Sequence, residues 1–214
     1  TGYSLALVAR IKGYSCILTV TDKISDEKVG MMTALGATVI KCPKNAKPTD
    51  SDSYYRRAEQ IAKETPNAHY VNQNYNKDNH LAHYHGTGKE IWEDTEGKLS
   101  YLLGSTSTGG TLSGSGKYCK DQNKSVQVIG IDTFGSTLKT YKETGSYNQD
   151  DIYSSLIEGA GKNIIPASMD FDAVDEFLYV SDENAAYRTR DLAFHDGIMA
   201  GYSSGAVVDG LFQI

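Results

Sequence analysis

The sequence predicts an α/β chain, with parallel or mostly parallel sheet flanked by helices. Two observations carry this reading. Apolar runs of strand length recur along the chain, and segments with helical periodicity and capping signals separate them. Strands and helices alternating at these intervals imply βαβ units. The first strand is read at 15–20 (SCILTV), followed by a helix over 25–35. Ser25 is the N-cap of that helix, Asp26 and Glu27 occupy its first turn, and Gly36 stands where a C-terminal cap is needed. A second strand follows at 37–41 (ATVIK), then a helix over 54–63. Leu102 and Leu103 lead into a loop rich in Gly, Ser and Thr, and a helix then runs to about Lys120. A buried strand is expected at 126–132 (VQVIGID), and the last helical segment is read over 183–195. The polar, Asn-rich stretch 72–79 is the best candidate for a domain crossing.

Composition narrows the function classes. Lys+Arg 21 against Asp+Glu 27 gives a net charge of −6 over 214 residues. This mild acidity argues against a nucleic-acid binder, which needs clustered cations. Hydrophobic residues at 39% and charged residues at 22% exclude wholesale disorder. No segment approaches the roughly 20 apolar residues of a membrane span. The three cysteines, Cys16, Cys42 and Cys119, form no CxxC or other tight metal spacing and read as reduced thiols of a cytoplasmic protein.

Several stretches can carry chemistry. The strongest is Gly104-Ser105-Thr106-Ser107-Thr108-Gly109-Gly110-Thr111, placed between a strand and a helix. Amides of such a loop converge, the helix adds its positive N-terminal end, and the hydroxyls of Thr106, Ser107, Thr108 and Thr111 offer further donors. The loop matches neither GxxxxGK(S/T) nor GxGxxG, so a P-loop or a dinucleotide site is not indicated. On the loop alone, a phosphate cradle and an ordinary βα connection both stay open. Gly201-Tyr202-Ser203-Ser204-Gly205 matches the GxSxG of a hydrolase elbow, but all five histidines precede Ser203, the wrong order for that triad. His80, His83 and His85, with His69 upstream, lack ligand spacing and are read as imidazoles scattered on a helix surface, with no metal expected. Glu158-Gly159-Ala160-Gly161 alone reads as a flexible loop.

Taken in order, these pieces resemble the fold-type II pyridoxal-phosphate enzymes, specifically the cystathionine β-synthase/cysteine synthase family. Thr1-Gly2 with Leu5-Ala6 looks like the second half of SGNTG-x-x-LA. Glu27-Lys28-Val29 and Ala34-Leu35-Gly36-Ala37 match EKV…ALGA. Asn72-Gln73, Leu81-Ala82-His83-Tyr84, Thr87-Gly88 and Glu90-Ile91 follow the family's next run. Thr108-Gly109-Gly110-Thr111, Glu158-Gly159-x-Gly161 and Gly201-x-Ser203-x-Gly205-Ala206 complete the set.

The resemblance implies a tryptophan synthase β-like fold with its N-terminal part missing. Residues 1–72 would belong to the small, substrate-side domain and 73–214 to the large cofactor domain. It implies pyridoxal 5′-phosphate held at Ser107, Thr108, Gly109, Gly110 and Thr111, faced by Gly159, with Ser203 on the pyridine nitrogen. Thr1 and Gln73 would contact the carboxylate of a small amino-acid substrate. No catalytic residue is expected in this chain, because the family's Schiff-base lysine lies upstream of Thr1. The implied reaction is β-replacement on serine, or an activated serine, by a thiol. The 44–54 connection and the LAHY sequence favour homocysteine as that thiol, with sulfide as the alternative. A cytoplasmic homodimer, binding neither nucleic acid nor membrane, is implied. Three positions depart from the family pattern. Ser107 replaces a glycine, Asn74 an aromatic residue, and Lys162 a Tyr or Phe. These departures motivate a reading of another class, a non-catalytic paralogue acting as a binding or scaffold protein. Thr21, His80 and Thr133 stand where the family usually carries proline.

Overall fold

The computed structural model describes all of Thr1–Ile214. The chain forms two compact units, Thr1–Tyr70 and Val71–Ile214. The crossing therefore falls just ahead of the Asn-rich 72–79 stretch, which folds within the second unit.

The first unit contains α1 (Gly2–Lys12), β1 (Ile17–Thr21), α2 (Asp26–Ala34), β2 (Thr38–Cys42) and α3 (Tyr54–Glu64). The β1 and β2 strands pair in parallel, from Ile17 opposite Thr38 to Thr21 opposite Cys42. Helix α2 makes the crossover and is delimited by its ends. The Ser25 side chain accepts the Lys28 amide at 3.4 Å. At the other end Gly36 takes a left-handed φ of 88°. That turn lets the Gly36 and Ala37 amides satisfy the Thr33 and Met32 carbonyls at 2.8 and 3.2 Å. Ala6, Met32 and Ala37 form a small buried core with the inner residues of both strands. Helix α1 was not anticipated from the sequence, and its N-cap Thr1 makes no side-chain capping bond.

The second unit contains α4 (Asp78–His85), α5 (Thr87–Asp94), β3 (Tyr101–Ser105), α6 (Gly110–Gln122), β4 (Gln127–Thr133), α7 (Leu138–Thr144), β5 (Glu176–Val180), α8 (Asp182–Asp196) and α9 (Tyr202–Leu211). Its three strands run parallel in the order β3-β4-β5. The central strand, β4, is apolar on both faces because both are covered. Val128 on one face packs with Leu112 and Cys119 of α6. Ile129 and Ile131 on the other pack with Ala185 of α8 and Ala206 of α9. The period of two along β4 thus sorts the helices to opposite sides. The 183–195 helix is not the last, since α9 follows it. Cys119, on α6, is fully buried. Burial raises the pKa of all three thiols, which favours their protonated form. No helix is long and apolar enough to cross a membrane.

Candidate functional site

In a parallel sheet covered on both faces, loops at the carboxyl ends of the strands are the natural place for a ligand. Here the segments singled out in the sequence gather at that edge. After β3 the chain turns through Thr106, Ser107 and Thr108 to Gly109, the N-cap of α6. Gly109 has φ 80°, a conformation that L side chains resist, and an added Cβ would lie 2.5 Å from Met169 Sδ. At the next position an added Cβ on Gly110 would meet Asn79 Oδ1 at 2.0 Å. The loop is held by bonds to neighbouring segments. Thr106 N and Oγ1 both donate to the Ile131 carbonyl at 2.9 Å. Ser168 Oγ donates to Thr108 O at 2.7 Å, and Asn79 Nδ2 donates to Thr108 Oγ1 at 3.1 Å.

What the loop leaves free matters more. The first amide of α6 to find a carbonyl is that of Ser113, which donates to Gly109 O at 2.8 Å. The amides of 107–112 make none of the chain's backbone hydrogen bonds. Converging free N–H groups at a helix start form an anion cradle, and the helix dipole adds to it.

The hydroxyls divide in a way the sequence did not reveal. Thr106 was read as a donor to a ligand, but its proton goes to the β4 carbonyl, which makes it a structural bolt. Thr108 is an acceptor for Asn79 and keeps its own proton. Ser107, in the place of a family glycine, is not among the residues with positive φ, so the substitution introduces no backbone strain. Thr111 Oγ1 lies 3.1 Å from His83 Nε2, and His83 Nδ1 lies 3.0 Å from Thr87 Oγ1. His83 is therefore not an idle surface imidazole, and His80 is likewise half-buried, with an Nδ1 that has no hydrogen-bond partner. Burial lowers the His83 pKa, which favours its neutral form.

The glycine loop near 160 closes onto the same edge. Gly161 donates to Thr106 O at 2.8 Å, and Lys162 N donates to Ser136 Oγ at 3.0 Å. Gly159 has φ 81° with open space where a Cβ would stand. Tyr202, the first residue of α9, donates its hydroxyl proton to Asp182 O, just beyond the carboxyl end of β5, so α9, with Ser203 as its second residue, begins at the same strand edge. Gln73 is fixed through its backbone, its carbonyl accepting Asn79 Nδ2 at 2.7 Å. Thr1 belongs to the first unit, as the N-cap of α1. Lys162, flagged only as a departure from the family pattern, has its amine pKa lowered to about 8 by desolvation. Asn74 is buried, and its Oδ1 has no hydrogen-bond partner.

Comparisons with known proteins agree on one family. A model described as "Pyridoxal-phosphate dependent enzyme" matches residues 1–214. A cystathionine beta-synthase of Apis mellifera is 35% identical over 214 residues, spanning 100% of this chain and 42% of the relative. The cysteine synthase 3 of Caenorhabditis elegans is 32% identical over 208 residues, 97% of this chain and 58% of the relative. Among solved structures, a hydrogen sulfide-producing enzyme from Fusobacterium nucleatum superposes with a TM-score of 0.84 at 27% identity, covering 100% of this chain and 67% of that one. The chain thus spans less than half the length of the first curated relative. The residues present fit the cofactor that the family implies, because the free amides of 107–112 form an anion cradle suited to its phosphate. This chain belongs to the pyridoxal-phosphate dependent enzymes, and pyridoxal 5′-phosphate is its cofactor.

Proposed function

We propose that the protein catalyses β-replacement on serine, or on an activated serine, by a thiol, with homocysteine as that thiol. The observation that carries the proposal is the 107–112 cradle, in a chain whose cystathionine beta-synthase relative aligns over its whole length. When bound, the cofactor supplies the electron sink that lets bonds at the Cα and Cβ of an amino acid break. The protein's part is binding and orientation. The amides of Ser107, Thr108, Gly109, Gly110 and Thr111 hold the phosphate, with the Ser107 and Thr108 hydroxyls as further donors. Gly159, lacking a side chain, leaves room for the cofactor ring. Ser203 offers the ring nitrogen a neutral hydroxyl, not a carboxylate, so the nitrogen is not driven to take a proton. Gln73 is assigned to the carboxylate of the substrate.

A second reading, with sulfide as the thiol, is supported by the cysteine synthase relative and by Asn74 and Lys162, which replace aromatic residues of the family. The experiment is to supply the full-length gene product with pyridoxal 5′-phosphate and serine or O-acetylserine, and compare homocysteine with sulfide by mass spectrometry of the products. Cystathionine formation well above cysteine formation supports the first reading, and the reverse supports the second. Retained cofactor with neither product would favour a non-catalytic paralogue.

A further inference from the structure

His83 joins two threonines of different helices, and the proton count at that junction has a consequence for the cradle. Thr111 is the second residue of α6, at the mouth where the amides are free. A threonine hydroxyl has one proton and accepts through its lone pairs. If Nε2 accepted from Thr111, that proton would be used within the protein. If Nε2–H donates instead, Thr111 Oγ1 is fixed as an acceptor and its proton is left for an anion in the cradle. The second arrangement requires Nδ1 to be the unprotonated nitrogen, and Thr87 stands 3.0 Å away with a hydroxyl able to donate to it. The relay then runs in one direction, from Thr87 through His83 to Thr111.

We propose that His83 is a positioning residue for the cofactor phosphate, holding the Thr111 hydroxyl as a donor toward it through the Thr87–His83–Thr111 chain. This inference rests on the reading of 107–111 as the phosphate site. The imidazole is suited to the task because it is half-buried and its lowered pKa keeps it neutral, so that one ring nitrogen still accepts from Thr87. Its reach is also set by packing. An added Cβ on Gly114 would lie 2.1 Å from His80 O and 2.9 Å from His83 Cβ, so α4 is pressed against α6 with His83 in fixed register to Thr111.

The test compares binding of pyridoxal 5′-phosphate with that of pyridoxal, which lacks the phosphate, in the full-length protein by absorbance titration. His83→Phe keeps the bulk of the ring and removes both nitrogens. It is expected to weaken pyridoxal 5′-phosphate binding roughly 10-fold, the size of one lost hydrogen bond to a charged group, with pyridoxal binding unchanged. His83→Gln, whose amide N–H can reach the position of Nε2–H, is expected to recover most of the loss. Thr87→Val, which leaves the imidazole in place, is expected to cause a smaller loss in the same sense. Unchanged pyridoxal 5′-phosphate affinity in His83→Phe, or an equal loss for both ligands, overturns the proposal. If His83→Phe does not fold, unchanged affinity in Thr87→Val overturns it. A wild-type protein that binds both ligands equally would instead overturn the assignment of the phosphate site itself.

Discussion

At the scale of single residues, Gly109 is the position where side-chain bulk is least tolerable. Its φ of 80° and the 2.5 Å approach to Met169 Sδ act together. Gly109→Ala is expected to destabilise the protein by about 2–3 kcal/mol, the left-handed conformation and the overpacking adding to each other. A drop in the denaturant midpoint checks this. Lys162 gives a pH signature. Its folded pKa of about 8 lies below the ordinary 10.5 because desolvation disfavours the charged amine. Between those values the unfolded chain binds a proton that the folded chain does not, so stability rises with pH across that window and is insensitive to this group below it. A shift of that size corresponds to about 3–4 kcal/mol. Lys162→Met is expected to remove this rise, read as the difference between wild-type and variant unfolding free energies at pH 8 and pH 10.5. The identities of Thr108, Gly109, Gly110 and Thr111 were legible in the sequence as a donor-rich loop before a helix. That Thr106 is excluded from the donors was not, because its acceptor, Ile131, lies on the neighbouring strand. His83 escaped for the same reason, since its partner Thr111 is 28 positions away.

At the scale of elements, close contact of α4 with α6 sets the geometry of the cradle. Gly114 permits it, with His80 O 2.1 Å from where a Cβ would stand. Gly114→Ala is expected to cost about 1–3 kcal/mol and to weaken cofactor binding in parallel, since the helices must separate. Denaturant unfolding and a pyridoxal 5′-phosphate titration on one sample check both effects. Elements with strong local signals were legible. Ser25 and Ser53 each accept an amide three residues on, at 3.4 and 3.3 Å, and the helices they open were anticipated. So was β4, whose apolar run is continuous because it lies centrally in the sheet. Helices α1 and α7 were missed, and their N-cap residues Thr1 and Thr137 make no side-chain capping bond. The edge strand β5 carries only five residues, with the polar Glu176 at its start, and it gains its identity from pairing with β4, which no local pattern announces.

At the scale of the whole molecule, the chain is two compact units joined by an exposed stretch at 63–71. Limited proteolysis is expected to nick the protein there first, giving fragments that end or begin close to Tyr70. First cleavage inside 106–111 or within β4 would contradict this division. The second unit's strand edge is built to hold an anion on the free amides after β3, with the Gly159 loop and the start of α9 at that same edge. The most direct measurement is a crystal structure of the protein saturated with pyridoxal 5′-phosphate. Phosphate density is expected within hydrogen-bond distance of the amides of Ser107, Thr108, Gly109, Gly110 and Thr111. A cofactor phosphate bound elsewhere on the chain, with those amides turned to solvent, would contradict it.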